Sequence, residues 1–124
     1  MAGVHQEYIP GDIIFREGQE GGSMFVITKG KVKIVRDYGK SNNVLAKLSQ
    51  GEFFGEMSVF SEEPRSATAV AEENTVLLRY TAKELEALVE NRPSIATRII
   101  HLLGNRLKET SDELVLLKEE LKSR

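Results

Sequence analysis

Two side chains between Gly55 and Thr68 carry opposite chemistries at a spacing that could build one site. Arg65 presents a planar fork of donors suited to phosphate oxygens, and the hydroxyl of the adjacent Ser66 adds another donor. Gly55 allows a tight turn, after which Glu56 to Phe60 can form one short helical turn. Its first N–H groups lack intrahelical acceptors and favour an anion. A carboxylate beside a phosphate site repels the ligand, so Glu56 is better suited to accepting hydrogen bonds from neutral hydroxyls, such as those of a ribose. Together these residues point to a sugar phosphate of low charge. Each residue alone has a plainer explanation, with Glu56 and Arg65 as an exposed ion pair of little energetic weight and Gly55 and Pro64 as ordinary turns. The joint spacing favours the binding site.

The run Phe53-Phe54-Gly55-Glu56-Met57-Ser58, followed by Pro64-Arg65-Ser66-Ala67-Thr68, resembles the phosphate-binding cassette of the cyclic-nucleotide-binding domain family. The resemblance implies that Glu56 binds the ribose 2′-hydroxyl and that Arg65 and Ser66 bind the cyclic phosphate. Gly55, Met57, Ser58 and Ala67 complete the ligand-binding set it implies in the cassette. From Tyr8 to Val35 the chain also resembles the first half of that family's eight-stranded antiparallel jelly roll, so the likeness covers nearly the whole chain. A further run, Arg106 to Glu113, resembles the long helix of the catabolite-activator subfamily, in which a Thr-Ser pair meets the adenine of cyclic AMP. That likeness implies that Thr110 contacts the base within one subunit and that Ser111 reaches across from a partner. A polar layer that fixes helix register is the alternative account of the same two hydroxyls.

The elements that would position this site are short strands and two helices. Met1 to Tyr8 has no clear period and reads as a lead-in, closed by the turn signal Ile9-Pro10-Gly11-Asp12. Ile13 to Phe15, Met24 to Thr28 and Lys31 to Asp37 read as strands. The glycine-rich Glu17 to Gly22 reads as a hairpin turn; it lacks the Gly-Lys-Ser/Thr ending of a phosphate loop. Lys29-Gly30 reads as the turn of a second hairpin. Val44 to Leu48 is the return strand after a loop at Tyr38 to Asn43, and Ala67 to Ala71 and Thr75 to Tyr80 follow the cassette. Short strands at this spacing fit a sandwich or roll, here spanning about residues 8–80, and disfavour a parallel α/β sheet. Thr81-Ala82-Lys83-Glu84 has the capping-box pattern and opens a helix over about 82–90. Pro93 then suits the first turn of a second helix that no proline interrupts before Lys122.

Along that helix Ile100, Leu103, Leu107, Thr110, Leu114, Leu117 and Leu121 alternate three and four residues apart, a heptad seam that predicts a coiled-coil homodimer. In a parallel pair Glu113 would stand near Lys118 of the other chain, a modest support for that register. The plainer alternative is a helix packed on its own roll.

Composition bounds the function. A length of 124 residues with 40% hydrophobic content suits one domain, and a net charge of −2 gives no general attraction to nucleic acid or anionic membrane. The chain has no cysteine, which removes disulfide and thiolate chemistry and fits a reducing, cytoplasmic setting. No apolar run approaches the roughly 20 residues of a membrane span. His5 and His101 show no metal-ligand or nucleophile pairing, so neither metal site nor catalytic residue nor cofactor is expected. The chain stops at Arg124, before any helix-turn-helix, so direct nucleic-acid binding is not expected of it; it reads as a fragment of a longer regulator or a stand-alone sensor. The reading that unites these features is a cyclic AMP sensor, with the nucleotide between roll and long helix. The alternatives are a roll used only for protein contacts and, less favoured, a cyclic nucleotide hydrolase, for which Glu56 and Arg65 supply no attacking group.

Overall fold

The computed structural model describes residues 4–122. It contains two units, residues 1–86 and 87–124. The first holds eight strands in chain order: β1 (Val4–Tyr8), β2 (Ile13–Phe15), β3 (Ser23–Lys29), β4 (Lys31–Arg36), β5 (Asn43–Ser49), β6 (Phe53–Phe54), β7 (Thr68–Ala71) and β8 (Thr75–Thr81). A short helix α1 (Glu56–Phe60) separates β6 from β7. The strands form two four-stranded antiparallel sheets, ordered β1-β8-β3-β6 and β2-β7-β4-β5, as an eight-stranded jelly roll requires.

Alternation of side chains decides what lies between the sheets. On β3 the inward series Phe25 and Ile27 faces Leu77 of β8, and these pack with Val32, Phe54 and Ala69 into one cluster. Tyr8, Ile14, Phe15, Ile34 and Leu48 close around it. Burial of each large member contributes about 1.5–3 kcal/mol.

Several sequence expectations are corrected by the pairing. Val4 to Tyr8 is a strand rather than a lead-in, because its backbone pairs with β8 from Val4↔Arg79 to Tyr8↔Thr75 although most of its side chains are exposed. The roll therefore begins before residue 8, while the expectation for Met1 to Gly3 lies outside the described residues. Neither expected hairpin exists: β2 and β3 belong to different sheets, as do β3 and β4. At Lys29-Gly30 the chain crosses between sheets. Gly30 has φ 99°, and a Cβ there would lie 2.5 Å from the Asn74 carbonyl oxygen, so this corner is packed directly against the β7–β8 corner. The true hairpin is β4–β5, closed by the loop at 37–42. Phe53 and Phe54, read only as the start of the cassette, form the short edge strand β6 against Phe25 and Val26.

Two further helices follow: α2 (Ala82–Asn91), which runs across the boundary between the units, and α3 (Pro93–Lys122). The capping box forms as expected, with the Thr81 N–H donating to Glu84 Oε1 at 3.0 Å and the Glu84 N–H donating to Thr81 Oγ1 at 3.2 Å. The helix α3 starts at Pro93, where a missing N–H costs nothing, and its 30 residues span roughly 45 Å at 1.5 Å per residue. It buries none of its side chains; Ile100, Leu107, Leu114, Leu117 and Leu121 of the heptad seam are all more than half exposed.

Candidate functional site

The cassette begins where Gly55, at φ 80°, turns the chain from β6 into α1. A side chain at this position would be strained by the backbone, and its Cβ would also lie 2.7 Å from Arg65 Nη1. Glycine is thus required twice. The expected short helix is present as α1, with Glu56 in its first turn.

Arg65 is buried, at 7% exposure, and this excludes the exposed ion pair as its explanation. Its guanidinium is fixed by main-chain carbonyls: Nη1 donates to Gly55 O at 3.0 Å and Nη2 donates to Ser23 O at 2.8 Å, with a longer contact to Ser23 Oγ at 3.4 Å. Its Cζ lies 4.1 Å from the centroid of the Phe15 ring and 5.9 Å from that of Phe25. Phe15, Phe25 and Phe54 pack on one another with centroids 5.2–5.9 Å apart, so the arginine rests on an aromatic base that is itself part of the core. The buried Nε–H has no partner among the described residues.

Burial, a second guanidinium and one carboxylate set the electrostatics around Arg65. Burial pulls the pKa of the Arg65 guanidinium down, the charge of Arg79 pulls it further, and Glu56 opposes both. Arg79 stands on β8 opposite Phe25, and its Nε donates to Ser23 Oγ at 3.3 Å. One serine hydroxyl therefore meets two guanidinium groups.

Among the expected ligand-binding residues, the structure brings Gly55, Glu56 and Arg65 together. Ser58 is buried in α1, and Ala67 is buried where the chain enters β7. Ser66 is exposed, and Met57 is 54% exposed on α1. Thr110 and Ser111 are exposed residues of α3 in the second unit, where the Thr110 hydroxyl donates to the Arg106 carbonyl at 3.0 Å. Sequence reasoning missed Phe15, Ser23 and Arg79. Arg79 alone carried a signal: it continues the inward register of Thr75 and Leu77, where a charge is out of place unless it has a task. Among the described residues no cluster of His, Cys, Asp or Glu is placed to hold a metal ion, and no helix is long and apolar enough to cross a membrane.

Comparison with known proteins agrees with this fold. The profile of the cyclic nucleotide-binding domain matches residues 5–92. The chain is 40% identical over 119 residues to the cyclic AMP receptor protein of Thermus thermophilus, covering 94% of this chain and 55% of that protein. A 71-residue stretch is 46% identical to human cGMP-dependent protein kinase 2, covering 56% of this chain and 9% of the kinase. Among solved structures, the Thermus thermophilus catabolite activator protein superposes with a TM-score of 0.82 at 38% identity, over 94% of this chain and 55% of that one. The chain thus spans about half the length of the bacterial relative and a small part of the kinase.

Proposed function

The chain belongs to the cyclic nucleotide-binding domain family, and on that footing we propose that it binds cyclic AMP as a regulatory sensor whose occupancy is coupled to its long helix. The observation that carries this reading is Arg65: a buried guanidinium, held on two carbonyls and an aromatic ring, with a donor still to satisfy. Such a group suits a phosphate, because it is oriented and largely desolvated before the ligand arrives.

The roles divide by chemistry. Arg65, the exposed Ser66 hydroxyl and the first N–H groups of α1 receive the cyclic phosphate; Glu56 accepts from the ribose 2′-hydroxyl. Gly55, Met57, Ser58 and Ala67 shape the cassette around them. The hydroxyls of Thr110 and Ser111 would serve the adenine edge, Thr110 as an acceptor because its proton is donated to the Arg106 carbonyl, and Ser111 as donor or acceptor. The name of the bacterial relative favours cyclic AMP, and that of the kinase makes cyclic GMP the competing ligand.

The exposed seam of α3 is the proposed surface for a second copy of the chain, paired as a coiled coil. A ligand shifts a helix arrangement only by its differential affinity for the two states, so a base contact made from α3 would provide the coupling.

Calorimetric titration of the pure chain with cyclic AMP and with cyclic GMP tests the reading. Saturable binding, tighter for cyclic AMP and weakened by Arg65→Lys, is the expected result. Binding of neither nucleotide would overturn the sensor, and tighter binding of cyclic GMP would overturn the choice of base.

A further inference from the structure

The turn between β2 and β3, residues 16–22, has the composition of an ordinary connection, yet its contacts go to the cassette. The Gly18 N–H donates to Arg65 O at 2.7 Å, and the Arg65 N–H donates to Gln19 O at 2.9 Å, so both main-chain groups of the arginine are tied to this turn. The turn is braced in its own right. The Gln19 N–H donates to Arg16 O at 3.1 Å, the Arg16 N–H donates to Gln19 Oε1 at 2.9 Å, and the Glu17 N–H donates to Thr68 Oγ1 at 3.1 Å.

Its glycines serve different ends. Gly18 and Gly22 have φ 83° and 120° and open space where a Cβ would stand, so the backbone conformation asks for glycine there. Gly21 is not in the left-handed region, and space is what it lacks: a Cβ would lie 2.1 Å from both Cβ and Oγ of Ser58 and 3.3 Å from Arg65 Cζ. Ser58 is itself buried, at 6% exposure, and cannot simply move aside.

We infer, on the footing of the function proposed above, that Gly21 and Ser58 are a matched pair that fixes where α1 and the Arg65 guanidinium stand, making residue 21 a positioning residue for phosphate recognition. One side of the phosphate cradle is then built by the β2–β3 turn through the absence of a side chain. Alanine at 21 must displace Ser58, the guanidinium, or both, while glycine at 58 opens the space that the new methyl group needs.

The test is a double-mutant cycle read on cyclic AMP affinity, with thermal midpoints recorded for all four proteins. Gly21→Ala in the wild-type background is expected to weaken binding by roughly tenfold or more, and the same change in the Ser58→Gly background by less than about twofold. An equal cost in both backgrounds, or no cost in either, overturns the pairing. A role in folding alone would lower the midpoint and leave the affinity of the folded protein unchanged, which also overturns it. Should Gly21→Ala fail to fold, the Ser58→Gly and Gly21→Ala/Ser58→Gly proteins still decide: a double variant that binds roughly tenfold more weakly than Ser58→Gly refutes the match. A wild-type chain that binds neither nucleotide overturns the function proposed above, whereas binding that is indifferent to residue 21 overturns only this inference.

Discussion

Replacing Arg65 separates its part in the fold from its part in binding. The side chain makes two hydrogen bonds to main-chain carbonyls and lies on the Phe15 ring. A hydrogen bond from a charged donor contributes about 1.5–3 kcal/mol, and a largely desolvated cation–π contact about 2 kcal/mol. Against these stands the cost of keeping a charge at 7% exposure, several kcal/mol for a buried ion. Arg65→Ala removes that cost but leaves the Gly55 and Ser23 carbonyls without their donor, at about 1–3 kcal/mol each, and opens a cavity above Phe15. The net loss without ligand is about 3 kcal/mol, or roughly 10 °C in thermal midpoint for a chain of this size. Lost binding in Arg65→Ala is therefore ambiguous. Arg65→Lys keeps the charge and loses the fork, so stability should fall by only about 1–2 kcal/mol while cyclic AMP affinity falls roughly 100-fold, equivalent to about 2.7 kcal/mol. Calorimetric titration at 25 °C, with thermal melts in the absence of nucleotide, reads both quantities. Wild-type affinity in Arg65→Lys would refute the fork as the phosphate ligand, and wild-type stability in Arg65→Ala would refute the anchorage on Ser23 and Gly55.

Glu84→Gln should lower the thermal midpoint at neutral pH. Hydrogen bonds from Thr81 hold the Glu84 carboxyl below its ordinary value of 4.5, so its contribution is present above that pH and is lost as pH falls through the depressed value. The difference between the two proteins should close in acid, and a gap that is constant with pH would refute the capping role. Leu107→Lys combined with Leu114→Lys should yield a monomer in sedimentation without unfolding the roll, since both side chains are exposed on α3; an unchanged dimer would place the interface elsewhere. Thr110→Ala with Ser111→Ala should weaken cyclic AMP binding roughly tenfold, about what loss of one or two neutral hydrogen bonds allows, with little change in midpoint. Unchanged affinity would remove both residues from the base contact.

What was legible in the sequence is what lies close together along it. Gly55, Glu56 and Arg65 share one stretch, the capping box needs only Thr81 and Glu84, and the seam of α3 repeats on one helix, so spacing along the chain exposes each of them. What holds Arg65 was not legible, because Phe15 and Ser23 arrive from β2 and β3 and meet the arginine only when two sheets close on each other. The same limit explains the hairpins. A glycine turn between two apolar runs announces a reversal of the chain, but whether the second run pairs with the first or crosses to the other sheet depends on packing, here of Gly30 against Asn74 and Thr75. The strand β1 was missed because its side chains are mostly exposed, leaving backbone pairing with β8 as its signature.

On the proposed function, stability and binding would meet at the same atoms. The roll keeps two guanidinium groups around one serine hydroxyl, and the Arg79 charge and burial both oppose the charge on Arg65. The hydrogen bonds to Gly55 and Ser23 and the Phe15 ring hold the arginine in place despite that opposition, so its position is fixed before any anion arrives. A phosphate that accepts from Arg65 would relieve both the desolvation and the repulsion between the two cations, and so would bind the folded state more tightly for the very reason that the free site is costly to maintain. By linkage, nucleotide at 100 times its dissociation constant would stabilise the roll by about 2.7 kcal/mol. That is close to the amount Arg65→Ala is expected to remove. On this account the cassette carries a strain that the core tolerates and the ligand relieves. The turn at 16–22 belongs to the same arrangement, since the Gly18 and Gln19 main chain hydrogen-bonds the main chain of the arginine while Gly21 leaves room for Ser58.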